Sequence, residues 1–143
     1  MAGTLTVANS ALLLSVEALY PAAQRLQGYS ADDAYDSDAV ENGEYSMGID
    51  GKLSAGFVFN PIPFSITLQA DSPSLTLFEN VYQYEQSNRT KLASNLTVTI
   101  PALSRRYELK TGFMRSYKAP AGKKILQPAA ITLVFERLQI SPL

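Results

Sequence analysis

Seven carboxylates, Asp32, Asp33, Asp36, Asp38, Glu41, Glu44 and Asp50, lie between Arg25 and Lys52 with no cation among them. Clustered oxygens of this kind suit a calcium loop or a paired-carboxylate hydrolase. Neither pattern is completed. Asp36-Ser37-Asp38-Ala39-Val40-Glu41 lacks glycine at the sixth loop position and a bidentate glutamate at the twelfth. Glycoside hydrolysis needs one carboxyl of raised pKa set against a second across a sugar cleft. Here the acids share one hydrophilic stretch and the chain has no Trp. The expectation is a solvated or interface-forming acidic loop that holds no metal and no cofactor.

The cations fail the same tests. Ala121-Gly122-Lys123-Lys124 lacks the upstream glycine and the final Ser or Thr of a phosphate-binding loop, so it reads as a basic turn. Arg105-Arg106-Tyr107, with Lys110, Arg115 and Lys118, suggests a nucleic-acid stripe. Period-two alternation instead puts Arg106 and Lys110 on one face and Arg105 and Arg115 on the other. With no His and no Cys, triad, thiolate, disulfide and His- or Cys-based zinc chemistry are excluded. The chain is not expected to be an enzyme.

Charge is sorted by position. Residues 1–88 carry 11 acids and 2 bases, and residues 89–143 carry 2 acids and 10 bases. The formal net charge of −1 therefore hides two opposed halves. Complementary fields on one small fold steer and register copies of it. At 143 residues with 46% hydrophobic content, one domain spanning residues 1–143 is expected. The apolar run at residues 11–16 is too short to span a bilayer and has no basic segment before it. It reads as a strand, and a soluble protein made in a cytosol is expected, with no membrane partner. The sequons at Asn88 and Asn95 carry no weight without a secretory route.

Alternation with period two dominates the elements that must position these charges. Phe64, Ile66, Leu68 and Ala70 share a face, as do Leu96, Val98 and Ile100, and Ile131, Leu133 and Phe135. Asp50-Gly51 predicts a two-residue type I′ turn joining strands at residues 45–49 and 52–59. Pro61 and Pro63 suggest an edge or a strand exchange. Ser72-Pro73 reads as a helix N-cap followed by proline at the first helical position. Leu75, Phe78, Val81, Tyr82 and Glu85 continue at helical spacing to about Asn88. Further strands are expected near residues 104–117 and at the C-terminus, separated by a loop at 119–126. The segment at about 29–44 has no convincing period and reads as a long acidic loop, which in a compact domain is usually functional.

The run Gly28-Tyr29-Ser30-Ala31-Asp32-Asp33-Ala34-Tyr35-Asp36-Ser37-Asp38-Ala39-Val40 leads into Met47-Gly48-Ile49-Asp50-Gly51-Lys52-Leu53-Ser54-Ala55-Gly56. Ile66-Thr67-Leu68-Gln69-Ala70-Asp71-Ser72-Pro73-Ser74, the helix and Leu126-Gln127-Pro128 follow. Together these phrases resemble the small tail structural proteins of tailed bacteriophages, of the tail-tube type. The resemblance implies a mainly β fold with one flanking α-helix, a β-sandwich or half-barrel. It implies a virion protein, made in the bacterial host cytoplasm, that forms stacked and typically hexameric rings. Strands from six subunits would line a lumen through which genomic DNA passes without specific binding. Sheath or baseplate proteins are implied as further partners, and no catalytic residue is implied.

On this view Asp32, Asp33, Asp36, Asp38, Glu41 and Glu44 of one subunit face Arg105, Arg106, Lys123 and Lys124 of its neighbours. The hairpin at Asp50-Gly51 contributes to the lumen sheet. An acidic lumen would repel DNA phosphates rather than bind them. The alternatives are a terminator, baseplate or fibre-associated tail component, the ring protein of a contractile secretion system, or a monomeric β-barrel binding module with an apolar pocket.

Overall fold

The computed structural model describes residues 10–29, 34–37 and 39–143. The strands are β1 (Ala11–Val16), β2 (Tyr20–Arg25), β3 (Tyr35–Ser37), β4 (Gly43–Met47), β5 (Leu53–Phe57), β6 (Ile62–Leu68), β7 (Ser94–Ile100), β8 (Arg105–Lys118) and β9 (Ala129–Pro142). One helix, α1 (Leu75–Asn88), lies between β6 and β7. Seven strands form an antiparallel sheet in the order β2-β1-β7-β8-β9-β6-β3, and β4 pairs only with β5.

The long β8–β9 ribbon is the spine. Arg105 lies opposite Pro142 and Lys118 opposite Ala130, while β7 covers one side of β8 only as far as Gly112. On the other side, β6 covers β9 only from Ala129 to Phe135. The two halves of the sheet are therefore staggered along the ribbon, and the ribbon bends where they meet. Thr111 sits at the bend with φ +52°, and its N–H donates to Asn95 Oδ1 at 2.9 Å. Phe135 lies across Gly112, where an added Cβ would meet its ring at 2.2 Å. Only glycine leaves that space.

The bend brings distant strands together. Gln69 N–H donates to Gly28 O, and Tyr35 Oη–H to Ser10 Oγ at 3.1 Å, joining the two ends of the sheet. A half-barrel results. Alternate residues of five strands fill it: Leu12, Leu14 and Val16; Leu96 and Val98; Leu109 and Met114; Ile131, Leu133 and Phe135; and Ile62 through Leu68. Helix α1 closes the open side with Leu75, Leu77, Phe78 and Val81. Beneath α1 this interior is tightly packed, while a largely apolar cleft of about 400 Å³ opens among Tyr35, Phe64, Val98, Tyr107 and Leu109. The gap left among Leu14, Phe78, Val81 and Leu133 is about 10 Å³, no more than one water fills.

Three local expectations change. The helix begins at Leu75, not Pro73, because the Ser72 and Ser74 hydroxyls are committed to the chain entering from β2. Ser72 Oγ–H donates to Gln27 O, and Gln27 N–H donates to Ser74 Oγ at 2.7 Å. The Asp50-Gly51 turn is not type I′. Gly51 N–H returns to Gly48 O and only Gly51 has positive φ (+84°), which makes a three-residue loop with glycine at the bulge. The stretch at 29–44 is not one loop: Tyr29 bridges to Leu68, Asp36 lies in β3 opposite Ser65, and β4 starts at Gly43. Asp32, Asp33 and Asp38 lie outside the described residues.

Candidate assembly surfaces

The hairpin β4–β5 has period-two alternation like the core strands, but among the described residues nothing covers it. Its register puts Tyr45 opposite Ala55 and Met47 opposite Leu53 on one face, with Phe57 opposite Gly43. Glu44 and Ser46 face Gly56 and Ser54 on the other. The apolar face is open to solvent: Tyr45 is 68% exposed, Met47 64%, Leu53 62% and Phe57 67%. Ile49 at the tip is fully exposed, and Phe59 packs edge-on against Phe57 at 4.9 Å between ring centres. A large, exposed, amphipathic sheet face marks an interaction surface. Composition and net charge missed it. The alternation of Tyr45, Met47, Leu53 and Phe57 was the available signal, and it revealed a face but not that the face is left bare.

The charged candidates are exposed and dispersed. Asp36 lies on the edge strand β3, where its Oδ1 accepts from Ser37 N–H at 2.8 Å. Glu41 precedes β4, with its backbone oxygen bonded by Asn60 Nδ2, and Glu44 lies within β4. Arg105 and Arg106 stand at the foot of β8. Lys123 and Lys124 lie in the connection at the ribbon's opposite end. A 14-residue strand separates the two pairs, about 45 Å of extended chain, so these four cations do not form one patch. Arg106 and Lys110 do share a face, opposite Ser141 and Arg137.

Inside the subunit the opposite charges barely meet. Among the described residues two ion pairs form: Lys91 to Glu85 at 3.1 Å, and Lys110 to Glu108 at 3.6 Å. Asp36, Glu41, Glu44 and Asp50 make no ion pair, and neither do Arg89, Arg105, Arg106, Arg115, Lys123 or Lys124. The Glu85–Lys91 pair is a structural clip. The buried Glu85 carboxylate also accepts from Leu92 N–H at 2.9 Å, and Lys91 Nζ reaches Met114 O at 2.8 Å, tying α1 to β8. Above it, Tyr117 Oη–H donates to Glu79 at 2.8 Å. Burial, then this hydrogen bond and the carboxylate's charge, push the Tyr117 phenol up to about 12. Among the described residues no three acidic groups gather as a metal site, and no helix is long and apolar enough to cross a membrane.

A curled sheet with one covering helix and a separate amphipathic hairpin make a β-rich fold of the tail-tube type. The chain belongs to the family described as tail fiber protein gp32, which matches residues 3–138, and it is a phage tail structural protein. No curated protein sequence matches it significantly. Solved structures share the fold at low identity. One is from the sheath–tube complex of an extracellular contractile injection system, PVC, in the extended state. It has a TM-score of 0.61 and 13% identity, covering 92% of this chain and 88% of that one. A chain of the six-fold symmetrised anti-feeding prophage baseplate has a TM-score of 0.61 at 11% identity, covering 99% and 98%. The tube-terminating cap of the anti-feeding prophage has 0.55 at 14%, covering 92% and 88%.

Proposed function

We propose that this protein is the ring-forming subunit of a phage tail tube, whose rings, six subunits each, stack into a conduit for the genome. The observation that carries this reading is the bare apolar face of β4–β5. A face of Tyr45, Met47, Leu53 and Phe57 is costly to leave in water and is stable only against another surface. The charges left unpaired within the subunit support contact between copies, since heterologous stacking needs two different complementary surfaces. The outer edge of β9 beyond Phe135, which β6 does not reach, supports continuation of the sheet into a neighbour. The role is structural, the location is the virion tail, and DNA passes through without specific binding. Sheath or baseplate proteins are the further partners.

A second reading is favoured by a separate observation. The family description refers to a tail fiber protein, and the solved relatives include a cap and a baseplate as well as a tube. A terminator, baseplate or fibre-associated component fits the same fold. Negative-stain microscopy of the purified chain at rising concentration separates the two. Tubes of indefinite length support the first reading, single rings the second, and a species that stays monomeric overturns both.

A further inference from the structure

A groove of about 590 Å³ runs between the C-terminal turn of α1 and the upper part of β8. Arg89, Lys91 and Arg115 line it, with Tyr82 and Tyr117 forming an aromatic wall, ring centres 5.6 Å apart. Three features make it receptive to carboxylates. Lys91 is already held by Glu85 and Met114 O, so Arg89 and Arg115 supply unneutralised charge. The acids nearby are engaged: Glu85 by Lys91 and Leu92 N–H, Glu79 by Tyr117. The floor is the edge of β8 beyond Gly112, where β7 stops: among the described residues no strand pairs with 113–118 on that side, and Met114 O is taken by Lys91 Nζ. Guanidinium groups lining an open groove suit an acidic segment, whose carboxylates they hold in bidentate ion pairs.

The subunit itself carries such a segment. Residues 39–42 lead into β4 without regular structure, and they and Glu44 are exposed. Glu41 and Glu44 make no ion pair of their own. Other acids are engaged: Asp36 Oδ1 accepts from Ser37 N–H and Asp50 Oδ1 from Lys52 N–H. We infer that the groove formed by Arg89, Lys91 and Arg115 receives the segment 41–44 of a second copy, so that the acidic arm of one subunit docks behind the helix of the next. The inference rests on the self-assembling reading above and adds the register to it. The cations concerned are Arg89 at the end of α1 and Arg115 on the upper part of β8, rather than Arg105-Arg106 or Lys123-Lys124.

The chain has no Cys, so an engineered pair reports the contact without background. Glu44→Cys combined with Arg115→Cys is expected to give a disulfide-linked ladder on oxidation of the assembled protein, absent with either single variant. Independently, R89E/R115E and E41R/E44R are each expected to raise the concentration needed for assembly by about tenfold, and the four changes together to restore most of it. R89K/R115K, which keeps the charge, should assemble, and thermal melts check that every variant is folded. The inference is overturned if wild type assembles while R89E/R115E assembles equally well, which would leave the self-assembling reading standing. A folded four-fold variant no better than its parents, with no cross-linking, overturns it in favour of a different tail protein as occupant. Wild type that never assembles removes both.

Discussion

Strands β4–β5 and β6–β9 present the same alternation and meet opposite fates. In β6 and β9 every second residue, from Ile62 to Leu68 and from Ala129 to Phe135, is buried against α1 and the facing strands. In β4 and β5 the equivalent residues Tyr45, Met47, Leu53 and Phe57 are largely in water. Alternation says that a strand has an apolar face; it does not say which molecule covers that face. The difference separates stability from assembly. Residues on β6 and β9 hold the subunit together, and residues on the hairpin are available to hold subunits to one another.

The widest gap should appear on truncation. Phe135→Ala removes a buried ring and should cost about 3–5 kcal/mol in denaturant unfolding of the monomer. Phe57→Ala should leave monomer stability within about 0.5 kcal/mol yet abolish assembly seen by microscopy or light scattering. Equal losses at the two sites would break the comparison. Next, Gly112→Ala drives a methyl into the Phe135 ring and should cost about 1–3 kcal/mol. Gly51→Ala meets no neighbour, but its φ of +84° makes it cost about 1 kcal/mol. That cost falls within the hairpin, so the global melting temperature should hold while hairpin hydrogen exchange quickens.

The smallest expected effect lies at the helix seam. The folded Tyr117 pKa, about 12, exceeds the ordinary 10.0. Below pH 10 the phenol is protonated in both states and its contribution is fully present. Between about 10 and 12 the unfolded chain gives up the proton first, so stability falls as pH rises. Tyr117→Phe should flatten that part of the alkaline stability curve, and ultraviolet titration should show Tyr117 ionising late alongside Tyr29, whose phenol burial also raises, with the substitution removing one of the late-titrating groups. A curve unchanged by the substitution would detach Tyr117 from the seam.

Much of this was legible beforehand. The helix follows from the spacing of Leu75, Phe78, Val81 and Glu85, and β8 and β9 from their alternation. The short strand β3 was not, because Tyr35-Asp36-Ser37 has too few residues to show a period and pairs only because Phe64–Ile66 lies beside it. The helix start moved two residues because Ser72 and Ser74 serve the distant Gln27, a claim that local capping rules cannot anticipate. Arg89 and Arg115, 26 positions apart, meet at one groove only because β8 returns beneath α1.

The amino-acid order by itself determined the faces of the strands, the glycine in the hairpin loop, the exclusion of His and Cys chemistry, and the separation of acids from bases along the chain. These are local properties, set by side-chain type and a repeat of two or 3.6 residues. Only the tertiary structure decided which apolar faces are covered, and that among the described residues the opposed charges form just two ion pairs. Coverage and pairing depend on where residues far apart in sequence arrive together. Here the two halves of the seven-stranded sheet meet at Thr111 and Gly112, and the hairpin β4–β5 lies outside that sheet.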